Sequence, residues 1–334
     1  MSKYPKLSEI FNISQILRDQ ESFPKILATL VHVEGSSYRR TGARRLISPD
    51  GAASGSISGG CLEQDLHERA TALLQSSECY ELVTYDTQSE NDLLWGTGTG
   101  CHGVVKILLE KLHSEPEWAK SICEAHAKRQ TLALSTVWET DNNDLDARGT
   151  YLFSGQLETT VGTLIQTITP PPHVVIFGAG DDAIALSELI HATGWENSIC
   201  DPRPDFARPE RFPHADRVIN RPETEAVTAF TWDDQTAAVV MTHHYRFDLP
   251  LLKVLVPMKL PFLGLLGPKE RGARLLRDAG FDPANVDLHN PIGLDLGGDG
   301  PNAVALSIVA EIQAHLHGRN GQPLSLRNRP IHDA

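Results

Sequence analysis

The apolar run at residues 173–177 ends on Gly178-Ala179-Gly180-Asp181-Asp182-Ala183, and residues 183–193 continue with helical spacing. A buried strand that turns through Gly-x-Gly into a helix is the opening unit of a doubly wound sheet, and it constrains everything downstream. Strands and helices should then alternate, and they do. Residues 198–200, 217–219, 237–241 and 262–266 read as short apolar strands, and 249–256, 269–279 and 302–317 as helices. The expected fold is α/β, with a Rossmann-like doubly wound parallel sheet over residues 169–318 and a loosely held tail at 319–334.

Immediately before this unit stands Pro170-Pro171-Pro172. Consecutive prolines block both helix and central strand and stiffen a short spacer, so the domain boundary is expected there. At 334 residues the chain exceeds ordinary single-domain length. Residues 1–168 are expected to form a separate N-terminal α+β domain. Helical spacing covers 7–20, 61–74 and 115–129, and strands are expected at 24–33, 45–48, 79–85, 104–109, 132–138 and 151–153. Three glycine-rich loops, beginning at Gly35, Gly55 and Gly96, interrupt these elements.

Lys and Arg number 30 against 43 Asp and Glu, a formal charge of −13. The surface as a whole repels a polyanion, so nucleic acid is not an expected partner and any anion site has to be local. The 5 cysteines, an odd number without a C-x-x-C pair, fit free thiols in a reducing compartment. The N-terminus lacks an apolar leader, and no window approaches the roughly 18 apolar residues of a membrane span. A cytoplasmic protein without membrane contact is expected.

Three constellations could carry chemistry. In a dinucleotide site Gly178 and Gly180 would let the backbone approach a pyrophosphate at a helix N-terminus, and Asp201 at the end of the next strand would bind a ribose hydroxyl. Asp181 and Asp182 put carboxylates where that phosphate would sit, which weakens the NAD(P) reading. The second constellation is Gly35-Ser36-Ser37-Tyr38-Arg39-Arg40-Thr41-Gly42-Ala43-Arg44-Arg45, which gathers guanidinium forks and open amides in an otherwise acidic chain and suits a phosphate. In the third, Cys61 follows Gly59-Gly60 at an expected helix start, where amides and dipole favour thiolate, and Cys101 stands beside His102 in another glycine loop. Either could be a nucleophile or a soft-metal ligand, whereas Cys79, Cys123 and Cys200 read as small buried residues. No spacing matches structural zinc. Along the expected rim of the parallel sheet stand Thr242-His243-His244, Lys269 with Arg271, and Asp295.

These residues resemble the XdhC/CoxI family, maturation factors of xanthine and carbon monoxide dehydrogenases. The resemblance lies in Gly35-Ser36-Ser37, Arg39-Arg40, Gly42-Ala43-Arg44, Gly59-Gly60-Cys61-Leu62-Glu63 and Gly98-Thr99-Gly100-Cys101. It continues through Gly178-Ala179-Gly180, Thr242-His243, Asp248, Gly264, Gly267, Pro291-Ile292-Gly293-Leu294-Asp295 and Glu311. It implies a chaperone, without turnover of its own, that binds molybdenum cofactor, holds it during sulfuration and delivers it to a molybdenum hydroxylase such as xanthine dehydrogenase. The implied partners are that client and a cysteine desulfurase-like sulfur donor, with a homodimer as a further expectation. The implied sites are Arg39, Arg40 and Arg44 on the phosphate, with Gly59 and Gly60 beside them. Cys61 and Cys101 would stand near the metal or its sulfur, as catalytic and metal-side residues. Gly178, Gly180, Asp201, His243, His244, Lys269 and Asp295 would form a binding edge. The competing readings are an NAD(P)-dependent oxidoreductase using Gly178, Gly180 and Asp201, and an adaptor that binds neither ligand.

Overall fold

The computed structural model describes residues 9–20, 22–35, 38–86, 103–140, 147–155 and 162–327. One compact unit ends at Pro170 and a second begins at Pro171.

The first unit runs α1 (Glu9–Asp19), β1 (Lys25–Gly35), β2 (Arg44–Ile47), β3 (Ala53–Gly55), α2 (Glu63–Gln75), β4 (Tyr80–Asp86), β5 (Gly103–Leu112), α3 (Glu117–Ala127), β6 (Leu132–Val137), β7 (Gly149–Leu152) and β8 (Thr163–Ile168). The first five strands form an antiparallel sheet in the order β3-β2-β1-β5-β4, and the last three form a small antiparallel sheet in the order β7-β6-β8. Side chains alternate across a strand, so β1 feeds two cores. Ile26, Ala28 and Leu30 pack with Ile107, Leu109 and the α2 residues Leu66, Ala70 and Leu73. Val31, on the opposite face with Leu108, meets Trp138 at the end of the small sheet. The short strand β3 and the edge strand β8 were not expected from the sequence. The burial of β8 alternates between half-buried and exposed, which leaves it only a weak apolar signal.

The second unit contains β9 (His173–Phe177), α4 (Asp181–Ala192), β10 (Glu196–Cys200), β11 (Arg217–Ile219), β12 (Thr236–Val240), α5 (Tyr245–Leu255), β13 (Phe262–Leu265), α6 (Lys269–Asp278) and α7 (Pro301–Leu316). Its strands are all parallel, in the order β11-β10-β9-β12-β13. This is the Rossmann-like sheet that the alternation predicts. Val174 and Ile176 face the core built with Leu186 and Ile190 of α4 and Ile308 and Ile312 of α7. Val175 and Phe177 face Leu251, Leu252 and Leu255 of α5 and Leu275 and Leu276 of α6. Helices on both faces explain why β9 and β12 are buried along their whole length. The chain leaves β9 for β10 on one side and later returns to β12 on the other, so the carboxyl ends of β9 and β12 flank the topological switch point. Among the described residues no helix is long and apolar enough to cross a membrane.

Candidate functional site

In the first unit two carboxylates shape the loops that carry the arginines and Cys61. Glu9, in the first turn of α1, accepts from Arg39 Nη2 at 2.9 Å, from the Arg44 amide at 2.7 Å and from the Ser56 amide at 3.3 Å. It thereby ties the end of the arginine loop to the strand that leads toward Cys61. Glu63, at the start of α2, accepts from the Ser58 amide at 2.8 Å, the Gly60 amide at 3.1 Å and the hydroxyls of Ser56 and Ser58. Ser58 Oγ in turn accepts from the Gly60 and Leu62 amides, so the two side chains together hold the turn just ahead of α2. Burial alone would raise the Glu63 carboxyl, but the bonds from Ser58 and Ser56 hold it below its usual range.

Cys61 is exposed on the turn before α2. The helix begins at Glu63 rather than at Cys61, and the Gly60 and Leu62 amides on either side of Cys61 are taken by Ser58 and Glu63. Gly59 and Gly60 are exposed beside it. A Cβ on Gly59 would lie 3.8 Å from the ring of Tyr38, so the tip of the arginine loop rests against the glycine turn. Arg40 is exposed on that loop. Cys101, with Gly100 and His102 beside it, lies outside the described residues.

Arg44 departs from the sequence expectation. The strand β2 begins one residue earlier than the sequence suggested, and Arg44 pairs with Thr29 in register, on the face of the sheet that also holds Leu108 and Glu110. Its side chain is 1% exposed, and Nη1 donates to the Gly42 carbonyl at 3.0 Å and to Gln166 Oε1 at 2.5 Å. No phosphate arriving from solvent can reach it there. Burial lowers the Arg44 guanidinium to about 10, against the attraction of Glu110 and Glu9. Burial likewise raises Glu110 to about 7, although the Thr150 amide donates to it at 3.2 Å. Arg45, one residue on, falls on the other face and donates to the Gly55 carbonyl at 2.9 Å.

At the carboxyl edge of the parallel sheet, Gly178 adopts φ +118° and presses against the chain after β12, where a Cβ would come within 2.5 Å of the Met241 carbonyl. The pyrophosphate seat beyond it is filled from within. Asp182 Oδ1 accepts from the Ala183 amide at 3.0 Å and would lie 2.7 Å from a Cβ on Gly180. Its Oδ2 accepts from His243 Nε2 at 2.6 Å, and that bond raises the His243 imidazole above its ordinary value. His243 has a left-handed backbone, φ 58°, and its side chain is 56% exposed. Strain of this kind in a residue other than glycine collects at ligand-handling edges.

Asp201 is 1% exposed and already saturated. It accepts from the Ala179 amide at 2.9 Å, the Arg203 amide at 2.9 Å, Arg203 Nε at 2.8 Å and Arg203 Nη2 at 2.7 Å. Burial would raise its carboxyl, but the Arg203 and Ala179 bonds hold it low. The dinucleotide reading therefore loses both of its contacts in this structure, the anion seat to Asp182 and the ribose acid to Arg203. Arg211 completes this edge, donating to the Ala179 carbonyl at 2.7 Å and to Asp181 at 2.8 Å.

Beneath His243, Thr242 and Arg271 both bond the buried Asp248. His244 caps α5, Lys269 is exposed at the start of α6 and Asp295 is exposed beyond the Gly293 turn. That turn is clamped by Glu311, which accepts from the Gly293 amide at 2.6 Å and from His289 at 2.9 Å.

The XdhC and CoxI family pattern matches residues 20–86, and the XdhC Rossmann domain matches residues 174–312. A Bacillus subtilis (strain 168) protein, named as a probable subunit of xanthine dehydrogenase, is 34% identical over 322 residues, covering 90% of this chain and 95% of its own. The chain belongs to the XdhC and CoxI family. A second relative, the Escherichia coli (strain K12) protein named molybdenum cofactor insertion chaperone PaoD, is 24% identical and is covered over 82% of its length, against 86% of this chain. A crystal structure of a Bacillus halodurans protein described as a xanthine dehydrogenase superposes with a TM-score of 0.78 at 28% identity, over 93% of this chain and 97% of the other.

Sequence reasoning missed Glu9, Arg203 and Arg211, and gave Glu63 no role. One of these carried a signal: an Asp-x-Arg step at a strand end predicts a local ion pair. Glu9 carried none, because its partners are 30, 35 and 47 residues away.

Proposed function

We propose that this chain is a maturation chaperone for molybdenum hydroxylases: it binds the molybdenum cofactor, holds it while its terminal oxo ligand is exchanged for sulfur from a cysteine desulfurase-like donor, and passes it to a client of the xanthine dehydrogenase kind. The observation that carries the reading is the joining of two loops in the first unit. Glu9 and the Tyr38–Gly59 contact bring the arginine loop and the Cys61 turn to one surface. Family membership and the PaoD relative support the same reading.

The donor set suits the group. Arg39 and Arg40 would hold the cofactor's phosphate through charge-assisted forks, and the exposed Cys61 thiol would stand on the side of the metal, whose sulfur ligation tolerates a soft neighbour. The Arg44 guanidinium is excluded from this set by its burial. When bound, the cofactor supplies the redox metal; the chain's own residues bind, orient and shelter it.

The test is cofactor retention after co-expression with the biosynthetic enzymes. Arg39→Ala with Arg40→Ala should lose roughly 10-fold or more in molybdenum retained through gel filtration, since each charged hydrogen bond contributes about 1.5–3 kcal/mol. Cys61→Ser should lower client activation while the melt stays cooperative. Equal molybdenum content in wild type and the double variant would reject the reading. A saturable fluorescence change with NADPH, absent in Asp201→Asn, would favour the oxidoreductase alternative.

A further inference from the structure

The contacts of Glu9 are those of a bound anion. One carboxylate collects a guanidinium nitrogen and two backbone amides, contributed by three different segments: the arginine loop, the start of β2 and the turn after β3. An acid in the first turn of a helix ordinarily serves the amides of its own helix. Glu9 instead serves donors from elsewhere, and the backbone is specialised to present them. Gly55, with φ +87°, brings Ser56 beside β2 so closely that a Cβ would stand 2.2 Å from the Arg44 carbonyl and 3.2 Å from Glu9 Cγ. Arg45 holds the Gly55 carbonyl at 2.9 Å and keeps the turn in place. The seat is also open, since the Arg39 and Glu9 side chains remain 33% and 24% exposed. Guanidinium and converging amides together make up the donor set that recognises a tetrahedral oxyanion.

We propose that Arg39, the Arg44 amide and the Ser56 amide form a phosphate seat, and that Glu9 is its resident stand-in, displaced when the ligand's phosphate arrives. The proposal rests on the cofactor reading above only for the identity of that ligand. Glu9 keeps the loops ordered and the arginine neutralised while the seat is free of ligand. It competes with weak anions, so that only a ligand with further contacts displaces it.

The experiment uses the full chain and inorganic phosphate at fixed ionic strength, read as thermal stabilisation. Glu9→Ala and Glu9→Gln should respond to phosphate at about 10-fold lower concentration than wild type, because the resident competitor is gone or uncharged. Glu9→Ala combined with Arg39→Ala should lose that response. If Glu9→Ala does not fold cooperatively, Glu9→Gln carries the test, since it keeps the size and one acceptor oxygen. Variants that respond no better than wild type, or a double variant that responds as well as Glu9→Ala, would overturn the proposal. A phosphate-responsive Glu9→Gln alongside an Arg39→Ala chain that still retains molybdenum would keep the seat and overturn the cofactor reading. The reverse pair of results would do the opposite.

Discussion

The two units handle charge in opposite ways. In the second, helices cover both faces of the parallel sheet, and the interior is apolar apart from a few buried polar pairs such as Ser187 with Asn197 and His173 with Ser198. The charged residues Asp182, Asp201, Asp248, Arg203 and Arg271 gather at the carboxyl edge, where each pairs with a neighbour. In the first, two antiparallel sheets stack, and the layer between them contains Arg44 and Glu110 as well as Leu108 and Trp138. A stack of two sheets can place a guanidinium from one against an amide of the other, as Arg44 does with Gln166, whereas the pair between helix and sheet in the second unit, Ser187 with Asn197, carries no ionisable side chain. A buried carboxylate or guanidinium therefore means different things in the two halves: in the second the buried acids Asp201 and Asp248 mark the rim, and in the first Arg44 and Glu110 belong to the core.

This contrast can be broken or sharpened by substitution. Arg44→Ala should have the largest effect, about 3–5 kcal/mol in urea unfolding, because it opens a cavity in the layer between the sheets and removes the donor to the Gly42 carbonyl and Gln166 Oε1. Little loss of stability with lost cofactor retention would return Arg44 to the ligand site. Next is Glu110, whose carboxyl is raised by burial to about 7 from 4.5. The folded chain then binds more protons than the unfolded one between those values. Stability should fall as pH rises from about 4.5 through 7, on the order of 3 kcal/mol in all. Glu110→Gln should flatten that decline in melts taken across the range.

Asp201→Asn probes the rim. It should cost roughly 1.5–3 kcal/mol by weakening the Arg203 fork, with little change in the pH dependence near neutrality, because the Asp201 carboxyl is held below its usual range. The smallest effect belongs to His243. Its NMR titration midpoint should lie above 6.5 and move back toward that value in Asp182→Asn. The stability it shares with Asp182 is complete below its unfolded value and lost as pH rises through the folded one. An unmoved midpoint would show that the pair does not form in solution.

Most helices and strands of the second unit were legible because the parallel sheet repeats one pattern, but β10 starts two residues and α5 four residues before the expected position, where Glu196-Asn197 and Tyr245-Arg246-Phe247-Asp248 interrupt the apolar signal. Strand 217–219 was placed to the residue, and α6 and β13 to within one. The first unit was less legible. Its edge strand β8 carries little apolar pattern, and a one-residue shift in the start of β2 moved Arg44 from an expected loop to the interior.

The linear chain alone determined the alternating pattern that requires a parallel sheet, the glycine turns where backbones must touch, and the short-range ingredients of a thiol turn and an arginine loop. Only the folded arrangement decided which arginine points inward, which carboxylate takes up the amides and which acid is already paired. Those outcomes depend on strand parity and on partners up to 122 residues apart, as between Arg44 and Gln166, and no local window contains both members of such a pair.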